Sequence, residues 1–255
     1  MMITFDIAIM SEAGGREYNE DACGHWASDR HLCCVLADGA GGHGGGDIAS
    51  KLAVTSLLTD FAKAPTTGGV ELMGLLRRVN QAVLDGREPT GVRRDMHTTV
   101  VSLVLDTAQG YADWVHCGDS RLYWFREGHL LERTIDHSFV QSLLTAGVIQ
   151  EHEVRGHPQR SVLLSALGSE PNELNELNAS ASVSSRLVNG GDVFLLCSDG
   201  VWEHLQDDVL EHSLQQAATP QDWLATLKNL IGLATSGRVR YDNFTALTVW
   251  LQGTP

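Results

Sequence analysis

Asp38, Asp119, Asp199 and Asp242 are the residues whose placement in this chain points most directly to chemistry. Asp38 ends the apolar run Cys33-Cys34-Val35-Leu36-Ala37 and is followed by Gly39. Asp119 ends Trp114-Val115-His116-Cys117-Gly118, and Asp199 ends Val193-Phe194-Leu195-Leu196-Cys197-Ser198. Asp242, beside Asn243, directly precedes the last apolar run. Strand interiors deplete Asp because its carboxylate competes with the ladder for hydrogen bonds. Four apolar runs, each with an aspartate at its edge, would bring several carboxylates to one rim of a sheet. Taken singly, each reads more readily as a turn aspartate capping local backbone. Taken together, and with Glu20-Asp21 upstream, coincidence is the weaker explanation.

Several uncompensated carboxylates in one place repel and raise one another's pKa values, so a stable cluster calls for a cation. All-oxygen ligands suit hard, octahedral ions such as Mg²⁺ or Mn²⁺. The glycine-rich stretch after Asp38, residues 39–46, has a backbone logic of its own. Gly39 lets its carbonyl come close to a metal, and the remaining glycines allow tight turns before a helix near residue 47.

The elements that must position these residues are legible in the periodicity. Residues 3–9 alternate as a half-buried strand, and 31–37 form a second strand. Helices follow at about 47–63 and 70–86, separated by Pro65-Thr66-Thr67-Gly68-Gly69, which breaks any helix. Strands are expected at 98–105, 111–117, 121–126 and 129–134, then a short helix at 138–147. The stretch 148–180 is polar and irregular and reads as an insertion or mobile flap. Strands return at 181–188 and 192–198, helices at about 206–217 and 221–235, and a final strand at 244–251. Consecutive strands with helices inserted in pairs predict an antiparallel α+β layered domain, not a parallel βαβ sheet. A single domain over residues 1–255 is the expectation.

The chain has 255 residues, 32 acids against 18 bases, and a formal net charge of −14. That balance argues against a nucleic-acid partner, whose affinity comes mainly from neutralising phosphates with Lys and Arg. Of five cysteines, Cys34, Cys117 and Cys197 lie inside apolar runs and no Cys-x-x-Cys pair occurs, so reduced core thiols are expected. The N-terminus lacks a basic region ahead of an apolar stretch, and no run approaches 18 apolar residues. A cytoplasmic protein without a membrane segment is the expectation.

Arg16-Glu17-Tyr18-Asn19-Glu20-Asp21, Ala37-Asp38-Gly39-Ala40-Gly41-Gly42-His43, Gly118-Asp119-Ser120-Arg121, Cys197-Ser198-Asp199-Gly200-Val201-Trp202 and Asp242-Asn243 resemble, in order and spacing, the motifs of the metal-dependent protein phosphatase (protein phosphatase 2C) family, in its bacterial branch. Thr98-Thr99, Asp136-His137-Ser138 and Ala166-Leu167-Gly168 match its lesser signatures. The resemblance runs from about residue 7 to the C-terminus. It implies a central sandwich of two antiparallel sheets flanked by helix pairs, four layers in all, with two or three Mn²⁺ or Mg²⁺ ions at one end. By position, Asp38 would bridge two metals, the Gly39 carbonyl would bind one, and Asp199 and Asp242 would complete the second. Asp119 with Asp199 would carry a third. Glu20 and Asp21 would hold waters on the metals, and Arg16 would grip the substrate phosphate. The implied activity is hydrolysis of phosphoserine or phosphothreonine on proteins, opposing a cognate Ser/Thr kinase, by a chain expected to be monomeric. A small-molecule phosphomonoesterase and an inactive binding module are the rival readings; the complete aspartate set counts against the second. Some family members place a His directly after the Asp-Gly pair as general acid; here that position is Ala40. His43 stands three residues on, as a candidate general acid or as a structural part of the loop.

Two further patterns carry less. Gly39-Ala40-Gly41-Gly42-His43-Gly44 matches a dinucleotide fingerprint, yet the acidic partner it needs, Asp60, falls in helix-patterned sequence and not at the end of a second parallel strand. His152 and His157 are five residues apart, so they do not share a helix face as a zinc pair would. Trp202 reads as a core anchor.

Overall fold

The computed structural model describes residues 3–40, 45–88, 90–170, 177–182 and 184–253. One sheet takes the order β1 (Thr4–Glu12), β13 (Phe244–Gln252), β12 (Val193–Cys197), β8 (Arg121–Arg126) and β9 (His129–Arg133). The other takes the order β10 (Ser180–Ala181), β7 (Tyr111–Cys117), β6 (Val100–Asp106), β3 (His31–Ala37) and β2 (Ala22–Ala27), with β11 (Arg186–Leu187) also on β7. A two-stranded ribbon joins β4 (Gly39–Ala40) to β5 (His97–Thr98). Every pairing among these strands is antiparallel.

Three apolar layers hold the stack together, and β3 shows how. Leu32, Cys34 and Leu36 point between the sheets, where they meet Leu122, Phe194, Leu196, Leu247 and Val249. Cys33, Val35 and Ala37 point the other way, against α1 (Gly46–Lys63) and α2 (Gly69–Asp85). Because both faces are covered, the run is apolar at every position, and period-2 alternation is lost. The opposite sheet is covered by α6 (Asp207–Gln216) and α7 (Pro220–Ala234), whose Leu210, Trp223, Leu227 and Ile231 pack on Tyr123, Phe125 and Leu195. Helices, sheet, sheet and helices thus form the four expected layers. Cys33, Cys34, Cys117 and Cys197 are free and buried, as small apolar fillers. Among the described residues no helix is long and apolar enough to cross a membrane.

Three stretches depart from the expectations. β2 was not foreseen: Gly24 and His25 weaken its apolar pattern, and it forms because β3 offers it a full ladder, Ala22↔Ala37 through Ala27↔Leu32. The strand expected at 181–188 splits into β10 and β11. Between them Ser182 and Ser185 turn their hydroxyls onto the buried carboxylate of Asp113, which also accepts from the Gly68 N–H. The stretch 148–180, read as irregular, is tied to the sandwich where it is described. It follows α3 (Phe139–Thr145), the short helix expected at 138–147, and holds a second, α4 (Glu151–Val154), with strand bridges Ser138↔Leu163 and Thr98↔Leu167. One more short helix, α5 (Asp199–Trp202), follows β12. Asp60 lies within α1, ion-paired to Lys63 and Arg78, and among the described residues no parallel strand follows, so the dinucleotide pattern has no counterpart there.

Candidate active site

Antiparallel register alone gathers the aspartates. At the C-terminal end of β12, Cys197 sits opposite Ala246 of β13 and Arg121 of β8. Asp199 therefore leaves β12 where Asp242 enters β13 and Asp119 enters β8. In the second sheet, Ala37 at the end of β3 sits opposite Ala22 at the start of β2, and Val100 at the start of β6 opposite Cys117 at the end of β7. Asp38, Asp21, Thr99 and Asp119 follow from that register at the same end. Gly118-Asp119-Ser120 is the crossing from one sheet to the other, so it joins the two groups.

These ends close around a cavity of about 240 Å³ lined by Arg16, Glu20, Asp38, Gly39, Thr99, Asp119, Asp199 and Asp242, with Ser161 and Leu163 from the 148–180 stretch. Seven of the sequence-predicted residues thus share one wall. Asp21 lies just behind, buried, its Oδ2 accepting from Ser198 Oγ at 2.8 Å. His43 lies outside the described residues. Among the described residues no three acidic, imidazole or thiol groups are drawn into a ready-made cage; the carboxylates line the cavity without closing on one point.

The electrostatics of that arrangement are unfavourable for bare carboxylates. Asp38 is pushed well above the usual carboxylate range by loss of water, and further by Asp21, Asp199, Asp119 and Asp242. Asp199 is raised likewise, by burial and then by Asp119, Glu203, Asp242 and Asp21. Burial lifts Asp119 to about 7, with Asp136 adding and Arg121 opposing. Burial lifts Asp21 to about 6 and raises Glu20 as well. Asp199 Oδ1 and Asp21 Oδ1 are buried with no hydrogen-bond partner among the described residues. Orphaned, buried oxygens on mutually repelling acids are what a hard dication satisfies, so the residues present fit Mn²⁺ or Mg²⁺. Among the described residues Arg16 is the one basic side chain lining this cavity, its Nη2 donating to Asp242 Oδ2 at 2.7 Å.

The backbone that carries these side chains is fixed by contacts the sequence did not announce. Asp38 N–H donates to Thr99 Oγ1 at 3.0 Å, its carbonyl accepts from Thr98 Oγ1 and Thr99 N–H at 2.8 Å, and Thr99 Oγ1 meets Ser120 Oγ at 2.6 Å. The Thr98-Thr99 signature therefore clamps Asp38. Asn243 accepts from Glu20 N–H through Oδ1 and donates through Nδ2 to the carbonyls of Ala13 and Tyr18, which fixes the loop bearing Arg16 and Glu20. Gly39 and Gly46 approach so closely that a Cβ on Gly39 would lie 2.3 Å from the Gly46 carbonyl oxygen and 2.7 Å from that of Glu20. No side chain fits there. His137 Nδ1 accepts from Gly118 N–H, so its proton resides on Nε2, which donates to Ser180 Oγ at 2.8 Å; burial and the stacked His116 ring hold its pKa down to about 4.

Behind Asp119 stands a buried assembly. Arg121 makes a bidentate pair with Asp136, both contacts 2.8 Å, and its guanidinium lies 3.7 Å from the Trp202 ring centroid. Trp202 Nε1 donates to the Asp119 carbonyl at 2.9 Å. Trp202 is the core anchor expected, and it also fixes Asp119. Trp202→Phe keeps the ring under Arg121 but orphans that carbonyl. Chemical denaturation should show a loss of about 1–3 kcal/mol, and the binding of divalent cations by calorimetry should weaken.

Comparison with known proteins agrees with this geometry. The family model Protein phosphatase 2C matches residues 11–231. The serine/threonine protein phosphatase PstP of Mycobacterium tuberculosis is 34% identical over 203 residues, which is 78% of this chain and 37% of that protein. The serine/threonine phosphatase stp of Listeria monocytogenes is 33% identical over 213 residues, 80% of each chain. The catalytic domain of PstP, solved with two manganese ions, superposes with a TM-score of 0.80 at 28% identity, covering 98% of this chain and all of that one. With its sandwich, its rim of aspartates and these matches, the chain belongs to the protein phosphatase 2C family.

Proposed function

We propose that this chain hydrolyses phosphoserine and phosphothreonine monoesters on proteins, in dependence on Mn²⁺ or Mg²⁺. The observation that carries this reading is the rim itself: carboxylates from both sheets sharing one small cavity without enough positive charge to compensate them. Asp38, the Gly39 carbonyl, Asp199 and Asp242 are the residues that would hold two cations, and Asp119 with Asp199 a third. When bound, such cations supply Lewis-acid charge for the phosphate and lower the pKa of water for attack on phosphorus.

The remaining work falls to the chain. A phosphate monoester is a dianion, and the acidic cavity alone repels it. Arg16 stands at the shared wall with one donor on Asp242 and the rest of its fork free for phosphate oxygens, the geometry guanidinium offers best. Glu20 and Asp21 are hydrogen-bond acceptors placed to orient water. Phosphoryl transfer demands mainly positioning and charge stabilisation, so no side chain of this chain need act as nucleophile. The relatives named as serine/threonine protein phosphatases support protein substrates; a Ser/Thr kinase as the opposing activity follows in our reading from the need to install such phosphates.

With Mn²⁺ present, phosphothreonine and phosphoserine peptides should be turned over well ahead of phosphotyrosine peptides, and EDTA should stop the reaction. Turnover that survives EDTA, or a preference for phosphotyrosine, contradicts the reading. Arg16→Ala should lower kcat/KM for a phosphothreonine peptide by about 10- to 100-fold; an unchanged value removes Arg16 from phosphate binding.

Linkage gives a test independent of turnover. Asp21 and Asp119 have folded-state pKa values of about 6 and about 7, above their ordinary 3.8. The stability they contribute without cations is therefore full below the ordinary value and is lost as pH rises through 6 to 7. Cations compete with those protons, so the rise in Tm on adding Mn²⁺ should be larger at about pH 7.5 than at about pH 5.5. Asp38→Asn should shrink that rise by about 4 °C or more, equivalent to 1–2 kcal/mol in a chain of this size, without lowering the cation-free Tm.

A further inference from the structure

Beside the acidic cavity lies a second one, about 650 Å³, which shares Arg16, Ser161, Asp199 and Asp242 with it. Unlike the first it has several cationic side chains, set among the acids Glu17, Asp199, Glu203 and Asp242. Arg16, Arg160, Arg238 and Arg240 all line it, four of the 18 basic residues in a chain of net charge −14. Two of these are matched: Arg16 with Asp242, and Arg160 with Glu203 at 2.6 Å. Glu17 and Asp199 are further acids on its wall. Arg238 and Arg240 have no ion-pair partner among the described residues.

The two unmatched arginines are not on a loose tail. They sit in the segment between α7 and β13, and the turn at Ala13–Gly15 presses against that segment. Gly15 N–H donates to the Tyr241 carbonyl at 3.1 Å, and a Cβ on Gly14 would lie 2.1 Å from the Asp242 carbonyl oxygen. Arg238 and Arg240 are two apart, so in this non-helical stretch they reach the same side while Val239, 89% exposed, does not line the cavity.

We infer that this second cavity is a subsite for an anionic side chain, carboxylate or phosphate, flanking the phosphorylated residue of a peptide substrate. The inference rests on the proposed phosphatase reading and names its substrate class. Arg16 lines both cavities, so a phosphate held there lies next to the one that Arg238 and Arg240 line. A peptide advances about 3.3 Å per residue, so a residue within about three positions of the phosphorylated one reaches Arg238 and Arg240. Fixed guanidiniums grip carboxylate and phosphate alike, bidentately where geometry allows.

The rival account is that these arginines only offset the nearby aspartates. Kinetics separate the two. Phosphothreonine peptides carrying alanine, glutamate or phosphoserine at each position from −3 to +3 are compared as substrates of the full chain with Mn²⁺. At least one position should give the acidic peptides a kcat/KM about tenfold above the alanine peptide, and added salt should erode the advantage. In Arg238→Gln/Arg240→Gln that ratio should fall to near one, and Arg240→Gln alone should reduce it in part. Glutamate and phosphoserine arms tell a general anion site from one reserved for phosphate. A wild-type ratio of one at every position, or a ratio unmoved in the double variant, overturns the subsite while leaving the phosphatase reading intact. Absence of turnover on all the peptides instead sinks the phosphatase reading.

Discussion

The constraint on which the rest depends is antiparallel register. In an antiparallel sheet the end of one strand lies beside the beginnings of its neighbours, so residues far apart in the chain meet at a rim without any dedicated scaffold. Here Asp199, at the end of β12, meets the entries to β8 and β13, and Asp38, at the end of β3, meets the entries to β2 and β6. The apolar layers above and below fix that register, because a slip of one residue would turn every core side chain to the wrong face. The site is therefore as rigid as the sandwich. It also carries a cost: several carboxylates lose water together and push one another's pKa values upward.

The surrounding polar contacts make sense as answers to that cost. Thr98, Thr99 and Ser120 hold the Asp38 backbone, Asn243 holds the loop bearing Arg16 and Glu20, and Trp202 holds Asp119 from behind. Each satisfies a backbone group that would otherwise be stranded near the rim, and each stops a carboxylate from relaxing away from its neighbours. The Arg121–Asp136 pair is buried on both sides and brings a positive charge close to Asp119. That charge opposes the rise in its pKa while leaving the cavity acidic.

Much of this was legible before any coordinates. Strand-edge aspartates were visible because Asp is so poorly tolerated inside apolar runs, and helices α1, α2, α6 and α7 because their apolar spacing persists over several turns. What stayed hidden depended on partners and not on period. β2 has no alternation of its own and exists by pairing with β3. The break between β10 and β11 is set by where Asp113 lies across the sheet. Ser161 and Leu163 reach the cavity from a stretch without periodicity, through bridges to Leu163 and Leu167 that no local pattern records. Trp202 was read as core, correctly, but its indole N–H gives it a second task that burial alone does not reveal.

Charge is distributed over this molecule in a way its net value conceals. A surface of −14 with an acidic cavity attracts dications and repels the phosphorylated proteins such a family acts on. Long-range steering of an anionic substrate must then come from a local positive field. Among the described residues, Arg160, Arg238 and Arg240 line a neighbouring cavity that shares Arg16 with the acidic one. That guanidinium thus stands between a cavity lined mainly by acids and one in which Arg238 and Arg240 have no ion-pair partner among the described residues. A dianionic phosphate approaching past Arg238 and Arg240 would meet those guanidiniums before the carboxylates, and cations held by Asp38, Asp199 and Asp242 would offset the repulsion it meets there.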